Sequence, residues 1–584
     1  MKLMNYKTII NLKYKYWIVP ILFFLSACSP TTDPNLNKAN LVIINADIYT
    51  SDKKQPRAQA LAIKNGKFTI VGFNDEIETA IGQDTKIIDA GNATIIPGLI
   101  DGHTHLVGGG SLATGVDLTD IPEKKEWIKI IAEKAATLPE GSWILGGRWN
   151  HNLSDGILPT KEMLDAVTPK HPVLLSDIDG HTSWANSEAI KLAGITIESP
   201  VPQGGEIVID QNTGEPSGIF KERANRLFQN AKGIRESSSG EFFSDTKKGM
   251  RAAIKLANSL GITSMHDMSG FHDEFLEILK QGDLSLRVWQ GHYKSISDER
   301  KDAFQLLSEE REHIRKNITD IGITDTMGPL FDIGYVKLMI DGVLSTRTAL
   351  LNEPYSDDPM VNPQAFISNE ALTQKISSAH EYGFPVAVHA IGDKGVSLVL
   401  DAFSKATPNT GALPDRIEHI ELVLPEDIER FASLGVIASM QPHHATCCVG
   451  DYVIDRIGLK RLPYAYAWRS MLDQGVSLVL GTDWSTSPLN PFIQIADTIH
   501  RETRINGIET PWDEDNNLTF EEALYSYTQA GANVTSWADQ IGSISIGKWA
   551  DFVILDRKLP KEVGREIESA AVKATYLAGQ QVYP

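Results

Sequence analysis

Only three cysteines occur in 584 residues, so no disulfide framework is available to define the fold. Two of them, Cys447 and Cys448, are adjacent, and neighbouring cysteines rarely satisfy disulfide geometry. They are expected as small packed residues in a loop rather than as redox or metal groups. A basic balance is missing too. The chain carries 75 acidic residues against 55 Lys and Arg, a formal net charge of −20, and no long Lys/Arg cluster interrupts it. That excludes nucleic acid as a partner, because the phosphate backbone recruits basic surfaces. What is present is a globular composition, 42% hydrophobic and 22% charged, long enough for one large domain plus a smaller one.

The apolar run Trp17-Ile-Val-Pro-Ile-Leu-Phe-Phe-Leu25 is too short to span a bilayer. Lys2, Lys7, Lys13 and Lys15 precede it, which together suits a signal peptide over residues 1–27. Leu25-Ser-Ala-Cys28 resembles a bacterial lipobox, in which Cys28 would be lipidated. Residues 28–40 are polar and contain proline, as a tether would. The mature chain is therefore expected outside the cytoplasm, lipid-anchored to the cell envelope at the periplasmic face or outer membrane.

Beyond the tether, Leu41–Tyr49, Ala60–Ile63, Lys67–Val71, Lys86–Ala90 and Ala93–Ile96 are strand-like, with Asn65-Gly66 as a hairpin turn. Gly542–Ile544, Ala550–Leu555, Val572–Tyr576 and Gln580–Tyr583 are strand-like at the other end. Residues 41–97 and 541–584 thus suggest a small β-sandwich built from both termini. Between them, apolar runs alternate with helical stretches, the rhythm of parallel βα units. Eight such runs occur, at 98–100, 262–265, 286–289, 335–340, 385–388, 416–420, 436–440 and 477–480. Eight parallel strands close into a (β/α)₈ barrel over residues 98–540, with residues 111–245 or so as an insertion after strand one.

Active sites of such barrels lie at the carboxyl ends of the strands. His103 and His105 follow the first run, Lys337 lies in the fourth, His389 follows the fifth, His419 lies in the sixth and Asp483 follows the eighth. Residues i and i+2 of a strand share a face, so His103 and His105 can both point to the axis. Four histidines, a carboxylate and a lysine suit a divalent cation. A lysine within an apolar strand has a depressed pKa and can react as a free amine, so CO₂ could convert Lys337 to a carbamate. Pairing with a nearby carboxylate such as Asp341 is the alternative for Lys337. Capping of a following helix is the alternative for Asp483.

With Ile96-Pro-Gly-Leu-Ile-Asp-Gly-His-Thr-His105, Val388-His-Ala-Ile-Gly-Asp393, Arg416-Ile-Glu-His419, Ser439-Met-Gln-Pro442, Gly481-Thr-Asp483 and Gly547-Lys-Trp-Ala-Asp551, the chain resembles the amidohydrolase superfamily. More narrowly, it is similar to the branch that includes N-substituted formamide deformylases. The resemblance implies one or two divalent metal ions, commonly Zn²⁺, on His103, His105, Lys337, His389, His419 and Asp483. In a two-metal form His103, His105 and Asp483 would hold one ion and His389 and His419 the other, bridged by carboxylated Lys337. Asp483 would be the general base of a hydrolase acting on a C–N bond of amide or formamide type in a small-molecule substrate.

His181 and His444 are candidate oxyanion donors, the latter within the doublet His443-His444. Arg148 could hold a substrate carboxylate, with surface solvation as its alternative. Trp484, with Trp143, Trp149, Trp184 and Trp289, hints at an apolar substrate. Deaminases of this superfamily carry His-x-x-Glu, whereas Ala-Ile-Gly-Asp follows His389. An esterase, lactonase or dipeptidase on the same centre stays open, as does a non-catalytic binding lipoprotein, although the latter predicts lost ligand positions and all six are filled. A homodimer is compatible with the sequence.

Overall fold

The computed structural model describes residues 38–112, 115–119, 121–178, 180–229, 231, 241–293, 302–447, 449–505 and 508–584. The expected signal peptide, the lipidation site Cys28 and most of the tether lie outside them. Each of the eight apolar runs forms one strand of a single parallel sheet: β1 Leu99–Thr104, β2 Ile262–Asp267, β3 Arg287–His292, β4 Phe331–Met339, β5 Val386–Ala390, β6 Arg416–His419, β7 Ile437–Met440 and β8 Leu478–Leu480. They pair in chain order. The segment after β8 folds back onto β1: Asp483 N donates to His103 O at 2.7 Å, His105 N to Trp484 O at 2.5 Å, and Thr104 bridges Trp484. This brings the first and last strands together, and the ends of β1 and β8 face one opening. β1 runs past the apolar stretch to Thr104, so His103 lies inside the strand rather than after it.

The fold is the expected (β/α)₈ barrel with a composite sandwich. One sandwich sheet orders strands 67–72, 60–64, 41–44 and 86–89. The other takes 580–583, 572–577 and 552–555 from the C-terminal end and pairs them with 94–97, 47–49 and 57–58. Leu41, Ile43, Leu61 and Phe68 pack against Ile48, Ile95, Phe552 and Tyr576 between them. The outer faces are covered as well: Val42, Ala60 and Ala62 pack with Ile77 and Ala80, and Ile96, Val553 and Leu555 join the barrel core.

Arg287 of β3 ties the barrel to this sandwich. Its Nε and Nη2 donate to both carboxylate oxygens of Asp551 at 2.7 and 2.8 Å, and Nη1 donates to the carbonyls of Met327 and Pro329. Asp551 also accepts from Ala578 N at 2.8 Å. Both side chains are buried. Asp551→Ala leaves a buried guanidinium without its counter-charge and is expected to cost about 3–5 kcal/mol of stability. Denaturant melts of wild type and variant measure it, and a loss under about 1 kcal/mol contradicts the role.

The insertion has its own six-stranded sheet, with strands 116–117, 144–149, 173–177, 182–185, 206–209 and 216–221. Trp127, Trp149 and Trp184 fill its centre, their ring centroids 6.2–6.4 Å apart. Trp143 is buried in a second cluster on the same sheet. Trp289 packs edge-on against Trp537, centroids 5.0 Å apart, in a cluster with Ile100, Tyr335 and Ala387. These tryptophans are core, which removes them as indicators of an apolar substrate.

Candidate metal centre

Asp483 is the hub of the site. Its Oδ1 lies 3.4 Å from His103 Nε2 and 3.3 Å from His105 Nε2, and its Oδ2 lies 4.0 Å from His419 Nδ1 and 3.8 Å from His444 Nε2. The His389 ring stands 4.5 Å from that of His419 and 5.4 Å from that of His181, centroid to centroid. Ligand atoms of His103, His419 and Asp483 fall within 4.8 Å of one another. His419 thus sits as close to the His103 side as to His389, and the implied two-set division does not appear as two separate clusters among the described residues. No helix starts at Asp483; the helix that follows begins at Pro491 and is capped by Asn490. That disposes of the capping alternative.

Two of these groups hold uncommon backbone. His419 has φ +75° and Asp483 φ +57°, the left-handed region that side-chain-bearing residues seldom adopt. Such strain is retained where the surroundings over-determine it, typically at functional sites. It also redirects side chains. In regular strand Glu418 and His419 would point to opposite faces. With the turn at His419 both act on the interior: Glu418 Oε2 accepts from His103 Nδ1 at 2.7 Å. That bond fixes the His103 tautomer, so its Nε2 lone pair faces Asp483 and His419. Arg416 Nε, 2.7 Å from Glu418 Oε1, holds the carboxylate from behind. Glu418 was not singled out from sequence, because strand alternation places it outward.

Charge and burial prepare these groups to bind a cation. Burial, with the charge on Lys337, lowers the His103 imidazole to about 4 against the pull of Asp483 and Glu418. Burial and neighbouring imidazoles push His389 and His419 well below the ordinary histidine value. The rings are neutral at physiological pH and offer lone pairs. Burial would raise the Asp483 carboxyl, but His103, His105 and His444 hold it below the usual range. Burial lowers Lys337 to about 8. Lys337 makes no hydrogen bond or ion pair among the described residues, and Asp341 instead accepts from the amides of Leu350, Ile391 and Gly392. The pairing alternative for Lys337 is thereby removed.

The donor set fits a divalent cation. His103 Nε2, His419 Nδ1 and Asp483 Oδ1 are buried and have no hydrogen-bond partner among the described residues. Leaving such groups bare costs about 1–3 kcal/mol each, and one cation between them would satisfy all three.

Two cavities flank the centre, of about 360 and 500 Å³, and share His181, His389, His419, Asp483 and Thr486. Lys337, His103 and His105 line the larger. His181 is held by Glu222, whose Oε2 lies 2.8 Å from Nδ1 and whose Oε1 accepts from Thr348 Oγ1. The doublet resolves by geometry: His444 faces Asp483, whereas His443 Nδ1 pairs with Asp497 at 2.8 Å. Arg148 lines the smaller cavity and is buried, not surface-solvated. Its Nη2 donates to Thr486 O at 2.8 Å, steadying the loop that carries Asp483. Trp484 lines neither cavity; its ring lies against Gly109, where even a methyl group would collide with it. Its expected substrate contact is therefore replaced by packing. Cys447, at the rim of the smaller cavity, is disulfide-bonded, contrary to the free packed residue expected; Cys28 and Cys448 lie outside the described residues.

Residues 86–583 match the family model described as "Amidohydrolase family". The chain belongs to this family. Among its relatives, "Protein LONG AFTER FAR-RED 3" of Arabidopsis thaliana is 31% identical over 97% of this chain and 96% of that protein. The "N-substituted formamide deformylase" of Arthrobacter pascens is 26% identical over 92% and 97%. An uncharacterized metal-dependent hydrolase from Pyrococcus horikoshii superposes with a TM-score of 0.67 at 27% identity, covering 88% of this chain and 97% of that one. This amidohydrolase is a metal-dependent hydrolase, and its donor set lies where the barrel strands end.

Proposed function

We propose that this amidohydrolase cleaves a C–N bond of amide or formamide type in a small molecule. The observation that carries this is a buried carboxylate, Asp483, within 4.0 Å of four imidazoles at the junction of two cavities. Similarity to the formamide deformylase supports the bond type.

His103, His105, Lys337, His389, His419 and Asp483 would hold one or two divalent ions, with Zn²⁺ the ion expected and Lys337 carboxylated by CO₂ to bridge a pair. Bound there, the metal supplies a water of lowered pKa and polarises the scissile carbonyl. Asp483, kept ionised by His103, His105 and His444, takes the proton as the water attacks and returns it to the leaving nitrogen. His444 Nε2 stands 3.8 Å from this carboxylate, and His181 lines both cavities with it. The carboxylates of Glu222 and Glu421, at 2.8 and 3.4 Å from their Nδ1 atoms, orient the two rings, and each would donate a ring N–H to the developing oxyanion.

The test is amine release from N-formyl compounds, N-acyl amino acids and dipeptides, with zinc and bicarbonate supplied. Hydrolysis of at least one amide, abolished by chelation and restored by zinc, is the expected result. Cleavage confined to esters or lactones would refute the assignment.

We propose in addition that the chain is exported and lipid-anchored through Cys28. The basic, apolar and Leu25-Ser-Ala-Cys28 segments support this, and no described helix is long and apolar enough to cross a membrane. Cys28→Ser should move the protein from the membrane to the soluble fraction on centrifugation; unchanged membrane association counts against the anchor.

A further inference from the structure

The wall of the larger cavity carries two arginines that the metal centre does not use. Glu222–Phe228 forms a 3₁₀ helix. Side chains at i and i+3 eclipse in that helix, so Arg223 and Arg226 share one edge, and both line the cavity that holds Lys337, His103 and Asp483. Neither guanidinium forms an ion pair or hydrogen bond among the described residues, in a chain with 20 more acidic than basic groups. Burial and then the charge of Arg226 disfavour the Arg223 charge, with Tyr293 and Glu222 opposing them in part.

Among the described residues, the acids that line this cavity are already committed. They are Glu222 and Asp483. Glu222 is turned to His181 and Thr348, and Asp483 to the histidines. The Phe366 ring lies 5.2 Å from the Arg223 guanidinium and supports it as a platform. Arg148, the residue first suggested for a substrate carboxylate, lines the other cavity and donates to a backbone carbonyl. Two adjacent, half-buried forks with no ion-paired acid among the described residues form a receptor for a planar anion.

We propose that Arg223 and Arg226 bind a carboxylate carried by the substrate, so that the enzyme acts on anionic N-acyl compounds rather than neutral amides. The proposal rests on the C–N hydrolase reading for its substrate name, but the anion site can be measured without it.

Matched pairs test it: N-formyl and N-acetyl amino acids against the corresponding carboxamides, for wild type and the Arg223→Gln/Arg226→Gln double variant. Wild type should favour the carboxylates by about tenfold or more in kcat/KM. The double variant should lose that preference through KM while the carboxamides change less than about twofold, and Arg223→Lys/Arg226→Lys should restore part of it. An undiminished preference in the Gln variant, or a wild-type preference for carboxamides, overturns the proposal.

If nothing is hydrolysed, the C–N reading fails alone, and calorimetric titration of zinc-loaded protein with 3-phenylpropionate and 3-phenylpropanol decides the anion site. Binding of the acid only, weakened about tenfold or more in the Gln variant, supports it. Affinity unchanged by the variant, as for a carboxylate seated only on zinc, overturns it, as does absence of binding to wild type.

Discussion

Asp483→Asn should lower kcat about 10³-fold with little change in KM, the size expected when a positioned proton acceptor is lost. Asparagine keeps the shape and the backbone hydrogen bonds at this position, so the fold is retained. What it loses is the negative charge that faces His103, His105, His419 and His444 within 4.0 Å, and with it the capacity to accept a proton. Because neighbouring imidazoles hold the Asp483 carboxyl below the usual range, it is ionised throughout the neutral pH region and needs no deprotonation of its own before it acts. Metal analysis of the purified variant separates the two consequences of the substitution. Loss of kcat at retained metal content marks the proton role. Loss of metal with recovery of kcat at saturating zinc would mean that Asp483 acts only as a ligand, and wild-type kcat in the variant contradicts both roles.

The barrel was legible in the sequence because parallel strands buried on both faces are short apolar runs at regular intervals, and each of the eight runs became a strand. Candidate ligands were legible for a related reason: His103, Lys337, His389, His419 and Asp483 stand out as polar interruptions in or just after those runs. Glu418 was not, since strand alternation holds only for regular backbone and His419 leaves it at φ +75°. Glu222, Arg223 and Arg226 were hidden differently. They belong to the insertion, whose sheet has no fixed relation in sequence to the barrel, and only folding sets that 3₁₀ helix against the mouth. The tryptophans misled because a large aromatic group suits a core as well as a pocket, and no local pattern separates the two. Arg148 shows the same ambiguity for a charge: burial and a bond to Thr486 O give it work that exposure would not.

Lys337→Ala should remove most of the activity, on the order of a hundredfold or more, and lower the metal content per chain. Lys337 is the third residue from the carboxyl end of β4, buried, with its Nζ in the fields of Glu418 and Asp483 but bonded to neither. As an ammonium it would repel a cation beside it. As a carbamate it would be an anion with two oxygens for one or two ions. Carbamate formation requires the neutral amine, and a value of about 8 makes roughly half of it neutral at pH 8 and about a tenth at pH 7, against far less for an ordinary lysine. Protein prepared without CO₂ should therefore regain activity on adding bicarbonate and zinc, faster at pH 8 than at pH 7 when dissolved CO₂ is held constant. In the Lys337→Ala variant the bicarbonate response should vanish, while a short carboxylate such as acetate, small enough for the vacated space, should restore part of the metal content. Full activity and full metal content in Lys337→Ala would show that the lysine is a bystander and that the histidines and Asp483 hold the ion without it.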